Sequence, residues 1–391
     1  MNSSLKTNQF TINPALTQEF CQSLKKDWET ISFPTEKMES FRKFPISSIP
    51  WEEVGFDPTN QKIGNLTENK DPGDSRTEPL LSETKQKEIL DLIKSYLPKD
   101  FFVYLSMLKA SQISISLCDG KFHLATETLF GDEAKFLFRI FYVPKGCSTQ
   151  IQLKTETKHE TESLHLLSVF DVWIAESDSV VEILDEENLD EDLIQFRSVF
   201  VLAKENASLK FHHFPFGGFR SKWFLTSHLL GKGGEVTVAG VSAIGKRNLK
   251  DMDMEMHHHA DHTTSKISYK AIVTDRSHHV FTGNLIIPPN LRKVVAHQES
   301  FNLSLNKKAR AEANPKLEVL AEDVSCTHGA TVGDIDEEQF FYLLSRGLTP
   351  EESKSLLVTA FYGETIQSIG FDEETKRNLE SSIHTILVGG K

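Results

Sequence analysis

The chain has 391 residues, 39% of them hydrophobic and 25% charged, which is the make-up of an ordinary globular protein with room for one large core or two domains. Its formal net charge of −13 disfavours nonspecific binding to nucleic acid or anionic lipid, so neither is expected as a partner. Four scattered cysteines, Cys21, Cys118, Cys147 and Cys326, form no CxxC pair, which excludes a disulfide framework and a self-contained cluster site and fits a reducing compartment.

The polar start, Met1 to Asn8, lacks a signal-peptide core, and no window approaches the roughly eighteen apolar residues of a membrane span, so a cytoplasmic location is expected. Residues 14–30 read as a helix, with Leu16, Phe20, Leu24 and Trp28 on one face. Residues 46–79 are rich in Pro, Gly, Asn, Asp and Thr and read as a connector, and a second helix follows from Glu83 to Tyr96. This amino-terminal region, 1–100, is expected to cover one end of what comes next.

From Phe101 to about residue 333 the pattern changes to short alternating strands. Phe136–Val143, Leu166–Ile174, Val199–Ala203 and Leu225–Leu230 each run into a small or polar turn, and the last three turns recur roughly every 27 to 28 residues. Such repetition without helical patterns between the strands suggests stacked strand coils; an antiparallel sandwich would give a similar spacing.

Glu318 to Gly347 concentrates the chemistry. In an extended segment Cys326 and His328 lie on one face, placing a thiol beside an imidazole. Both suit iron or zinc, but two ligands are fewer than a closed site needs, so a partner must supply the rest; a buried thiol and a hydrogen-bonded imidazole on a strand is the other reading. Gly329 and Gly333 suggest a tight bend, after which Asp334 can cap a helix that runs to Ser345, with Gly347 as its stop. Thr349, Pro350 and Glu352 form a capping box that opens a helix carrying Leu356, Leu357, Ala360, Phe361, Ile366 and Ile369, and a last helix spans about 372–386. Residues 334–391 thus read as a carboxy-terminal helical domain.

The run NLSLNKKARAEANPKLEVLAEDVSCTHGATVGDID with FYLLSRGLTPEESKSLLVTAF, from Asn302 to Phe361, resembles the carboxy-terminal signature of the SufD family of the SUF iron-sulfur cluster assembly machinery. Phe33 to Arg42 is similar to that family's amino-terminal pattern. The resemblance implies a mainly β fold, a right-handed parallel β-helix flanked by helical domains at both ends. It also implies a scaffold rather than an enzyme, pairing with a SufB-like subunit through the β-helix and docking a SufC-like ATPase on the carboxy-terminal helices, where Phe340, Arg346, Leu356, Leu357 and Phe361 are the candidate contacts. His328 matches the family histidine implicated in cluster assembly at the SufB/SufD interface, as a metal ligand shared with the partner, and Cys326 matches a recurrent family cysteine. The isolated chain is then expected to hold no permanent cofactor, with a transient iron-sulfur cluster in the complex; a homodimer in isolation is also allowed.

Two alternatives stand beside this. A SufB-like cluster carrier is disfavoured by few cysteines and by Thr327-His328-Gly329 in place of a His-Glu-Ala pattern. A metal-dependent enzyme would draw on His257, His258, His259 and His262 with Asp253, Glu255 and Asp261, although on a strand His257 and His259 face away from His258. The histidine of the family pattern upstream of Ser265 and Tyr269-Lys270 is either His258 or His259. No GxxxxGK[ST], GxSxG or HExxH pattern occurs, which argues against ATP hydrolysis or hydrolase chemistry in this chain.

Overall fold

A computed structural model describes residues 8–51, 81–110, 113–120, 122–130, 134–158 and 164–388. Strands alternate between two sheets, and each returns to its own sheet one coil later. The first sheet contains β1 (Asn8–Thr11), β2 (Ile113–Leu117), β4 (Lys135–Val143), β6 (His165–Ala175), β8 (Leu193–Ala203), β10 (Arg220–Leu229), β12 (Leu249–His258), β14 (His278–Ile287) and β16 (Arg310–Val319), in that order. The second runs β3 (Phe122–Phe130), β5 (Ser148–Lys158), β7 (Val180–Leu189), β9 (Ser208–Gly217), β11 (Glu235–Ile244), β13 (Thr264–Val273), β15 (Arg292–Ser304) and β17 (Asp323–Asp334). All pairs are parallel except β1 with β2. The molecule is a parallel β-helix, and the register carries Val180 to Ser208, Glu235 and Thr264 in successive coils.

The turns explain the repeat. Asp178, Asn206 and His262 occupy the left-handed region beside Gly146 and Gly233 of neighbouring coils, a conformation that Gly, Asn and Asp adopt at low cost. Each of these turns bonds to the next: the N–H of Asp178 donates to Glu205 and that of Asn206 to Lys232.

Helices flank the solenoid, but they lie on its two broad faces rather than across an end. Helices α1 (Pro14–Trp28), α2 (Glu83–Tyr96) and α3 (Phe101–Lys109) cover the outer face of the first sheet, where Phe102 stacks on Phe196 at 3.5 Å between ring centres. α3 was expected as strand. Its FFVYLSML run is apolar on all sides because it is fully buried, and Asp100 caps it by accepting from the N–H groups of Phe102 and Val103. The expected connector is structured at its start, where Ile46 and Ile49 are buried; its remainder lies outside the described residues.

At the other end, α4 (Glu337–Ser345), α5 (Pro350–Gln367) and α6 (Glu373–Val388) follow β17. α5 and α6 pack Val358, Tyr362, Ile366, Leu379 and Ile383 on Leu184, Phe214, Val241 and Ile272 of the second sheet. The capping box at Thr349 and Glu352 forms, and Gly347 ends α4 with φ of 93°. The bend expected at Gly329 and Gly333 does not occur. β17 continues to Asp334, so Asp336, not Asp334, caps α4, accepting from the N–H of Gln339 at 2.8 Å.

Candidate functional site

The last coil is the open one. Among the described residues β16 and β17 each have a strand neighbour on one side only, and most of β17 is exposed. On β15, Ala296, Gln298, Ser300 and Asn302 face the interior and are buried, and their register partners on β17 are Cys326, His328, Ala330 and Val332. These four therefore face the mouth of the solenoid. Cys326 packs half-buried on the interior core, and burial pushes its thiol above the usual range against a hydrogen bond from the Ala296 backbone. His328 is exposed beside it. Across the mouth, Leu317 of β16 is 38% exposed and Val332 is 54% exposed, so the two ligand-type side chains sit in an apolar rim.

Deeper inside lies a charged network that the sequence reading did not single out. The Arg197 guanidinium donates to Asp171 at 2.8 Å, to Asp185 at 2.9 Å and to Glu187 at 2.7 Å, and Arg139 donates to Asp171 at 2.7 Å. Burial pushes the Asp171 carboxyl up, but the two guanidinium groups outweigh it and hold it below the usual range. His213 stands 3.4 Å from Glu187 and 3.3 Å from the Tyr269 hydroxyl. Nearer the mouth, Asn302 donates to Ser300 and, at 3.0 Å, to the carbonyl of Thr331. The signal was present: charged residues fall on the inward positions of otherwise apolar strands, as Asp171 does between Val169 and Trp173.

The histidine run separates as strand alternation predicts. His258 is fully buried, hydrogen-bonded to Thr263 at 2.7 Å and Ser265 at 2.9 Å; burial first, then the neighbouring His259 and His257 imidazoles, push it down to about 4. His257 and His259 lie on the outer face with His228 of the preceding coil, whose Nδ1 is 2.8 Å from His259 Nε2. The coil repeat brings His228 beside His257, a pairing visible only once the register is known. His262 occupies a turn. Among the described residues no group of three or more His, Cys, Asp or Glu side chains is arranged to hold a metal ion.

On the carboxy-terminal helices, Arg346 is exposed and stacks over Tyr342 at 5.0 Å, Leu356 is 49% exposed, and Phe340 and Leu357 are half-buried. Phe361 faces the solenoid, where Lys270 donates to its carbonyl at 2.7 Å. The exposed apolar surface here also includes Phe341, at 71%. Among the described residues no helix is long and apolar enough to cross a membrane.

Residues 134–361, the coils and the helices beside the open end, match the family model described as SUF system FeS cluster assembly, SufBD core domain. The chain belongs to the SufBD family. Among named SufBD relatives, it is 30% identical over 190 residues to the iron-sulfur cluster assembly protein SufD of Escherichia coli, a stretch covering 49% of this chain and 45% of that protein. It is 36% identical over 112 residues to SufD of Bacillus subtilis, covering 29% and 25% respectively. SufD of Plasmodium berghei matches at 28% over 215 residues, 54% of this chain and 16% of that protein. The aligned stretches span less than half the length of these relatives. Within the SufBD family the chain is SufD-like.

Proposed function

We propose that this chain is a non-catalytic scaffold subunit that closes its open coil against a SufB-like partner, so that an iron-sulfur cluster is assembled at the joint. The observation that carries this reading is the mouth formed by β16 and β17, with exposed His328 and half-buried Cys326 inside an apolar rim. An unpaired strand edge takes up another strand readily, and an exposed apolar rim calls for a cover. Two ligand-type groups are too few for a cluster, so a partner supplies the remainder. The chain holds no cluster permanently; the cluster is cargo.

The carboxy-terminal helices serve as the seat for a SufC-like ATPase, with Arg346, Leu356, Leu357 and Phe340 in the contact and Phe361 anchoring α5 to the solenoid. Neighbouring Phe341 and Tyr342 enlarge that surface. The expected compartment is the cytoplasm.

Anaerobic reconstitution tests the reading: iron and sulfide are quantified for the chain alone and with SufB-like and SufC-like partners, for wild type and His328→Ala. An empty isolated chain, together with a complex whose cluster content falls in the variant without dissociation, is expected. A full cluster on the isolated chain, or no effect of the substitution, would remove His328 from the site.

A further inference from the structure

On the side of the solenoid where odd strands turn into even ones, three consecutive turns carry Lys246-Arg247, Arg276 and Lys307-Lys308. Backbone hydrogen bonds hold these turns in register: the N–H of Arg276 donates to Lys246 and that of Arg310 to Ser277. Neighbouring coils lie about 4.8 Å apart, so like charges stack rung upon rung. Arg247, Arg276, Lys307 and Lys308 are all exposed, and among the described residues none has a carboxylate within ion-pair distance.

The two acids nearby are already engaged. Glu191 pairs with Lys246 at 3.2 Å and accepts from Asn248 at 3.0 Å, and Asp275 accepts from the Lys246 N–H at 2.8 Å. Two residues past Asn248, on the inward face of β12, the Lys250 ammonium is fully buried and has no hydrogen-bond partner among the described residues, within electrostatic reach of Glu191. Lys246, Arg247, Arg276, Lys307 and Lys308, but not Lys250, line a cleft of about 840 Å³ together with Phe219. In a chain of net charge −13, such a concentration of unpaired positive charge is a local exception.

We propose that this cleft binds a small phosphorylated molecule of nucleotide size, with phosphoryl oxygens on Arg247, Arg276 and Lys308 and a flat ring against Phe219. Stacked guanidinium forks match phosphoryl oxygens in bidentate geometry, and binding relieves the repulsion between rungs. The volume lies within the range of small-molecule sites, and a flat ring adds apolar contact that free phosphate lacks.

Calorimetric titration of the full chain with inorganic pyrophosphate, ADP, adenosine and sulfate at matched ionic strength tests this. Pyrophosphate and ADP are expected to bind at one site, with sulfate at least about tenfold weaker. The double variant Arg247→Ala/Arg276→Ala is expected to lose about tenfold or more in affinity for both, while Lys232→Ala, an exposed lysine on the opposite turn stack, changes nothing. Phe219→Leu is expected to weaken ADP alone. Equal response to sulfate, or equal behaviour of the double variant and Lys232→Ala, would overturn the site as an effect of charge alone. A polyglutamate peptide that outcompetes ADP would overturn it in favour of a protein-docking patch.

Discussion

His328 and Gln298 are direct neighbours in the register of β17 and β15, one exposed and the other fully buried. Gln298 donates to the Lys316 carbonyl at 2.7 Å and so ties the two strands of the open coil's floor and rim, while its side-chain oxygen meets no hydrogen-bond partner among the described residues. Removing the amide should therefore cost the isolated chain stability, of order 1–3 kcal/mol for Gln298→Ala. His328→Ala should stay within about 0.5 kcal/mol. Urea denaturation of both variants separates structural from functional roles; a large loss for His328→Ala would show that the imidazole packs before any partner arrives.

Arg197 pairs with three buried carboxylates at once. Arg197→Met leaves Asp171, Asp185 and Glu187 with too little positive charge in the interior and should cost about 3–5 kcal/mol. Equilibrium unfolding that shows less than about 1 kcal/mol would mean that Arg139 and His213 suffice to hold the network.

Acid should weaken the fold through its buried imidazoles. Burial first, and the Lys250 charge second, push His279 down to about 3, and His228 is likewise pushed to about 3, mainly by burial. Both folded-state values lie below the ordinary histidine value of about 6.5, so the unfolded chain takes up protons first as pH falls. Their contribution is complete above about pH 6.5 and is lost between there and about pH 3, by up to about 1.4 kcal/mol per pH unit for each group. Unfolding free energies between pH 7 and 5 should fall accordingly, with a shallower slope for His279→Gln. An unchanged slope in that variant would place the acid sensitivity elsewhere.

Gly240 sits where the interior has no room. A Cβ there would lie 2.3 Å from the His213 carbonyl and 2.6 Å from the Tyr269 ring, so Gly240→Ala should destabilise by about 1–3 kcal/mol or more. At Gly329 an added methyl meets open space, and Gly329→Ala should leave the thermal midpoint of the isolated chain unchanged. Equal midpoints for the two variants would refute this packing.

The turn repeat was legible because each coil needs a residue able to adopt positive φ, at Gly146, Asp178, Asn206 and Gly233, but that spacing fitted a sandwich equally and the family resemblance decided for the solenoid. Cys326 and His328 were legible as neighbours because alternation alone puts them on one face. What local sequence hides is what depends on the coil above or below. Arg197 finds its acids on β6 and β7, and His228 meets His257 and His259, only through register. α3 misled for the opposite reason: a helix buried on all sides loses the polar stripe that would mark its period.

The two ends of the first sheet are not equivalent. One finishes on β1, four residues long and antiparallel, while the other presents the full length of β16. Two copies, or two relatives of like build, that meet through their open coils leave outward β1, short and reversed, at the far end of the first sheet and β3, nine residues long, at the far end of the second. Growth by this contact stops at a pair, because like faces have met like and the strands left outward differ from the open coil that joined them.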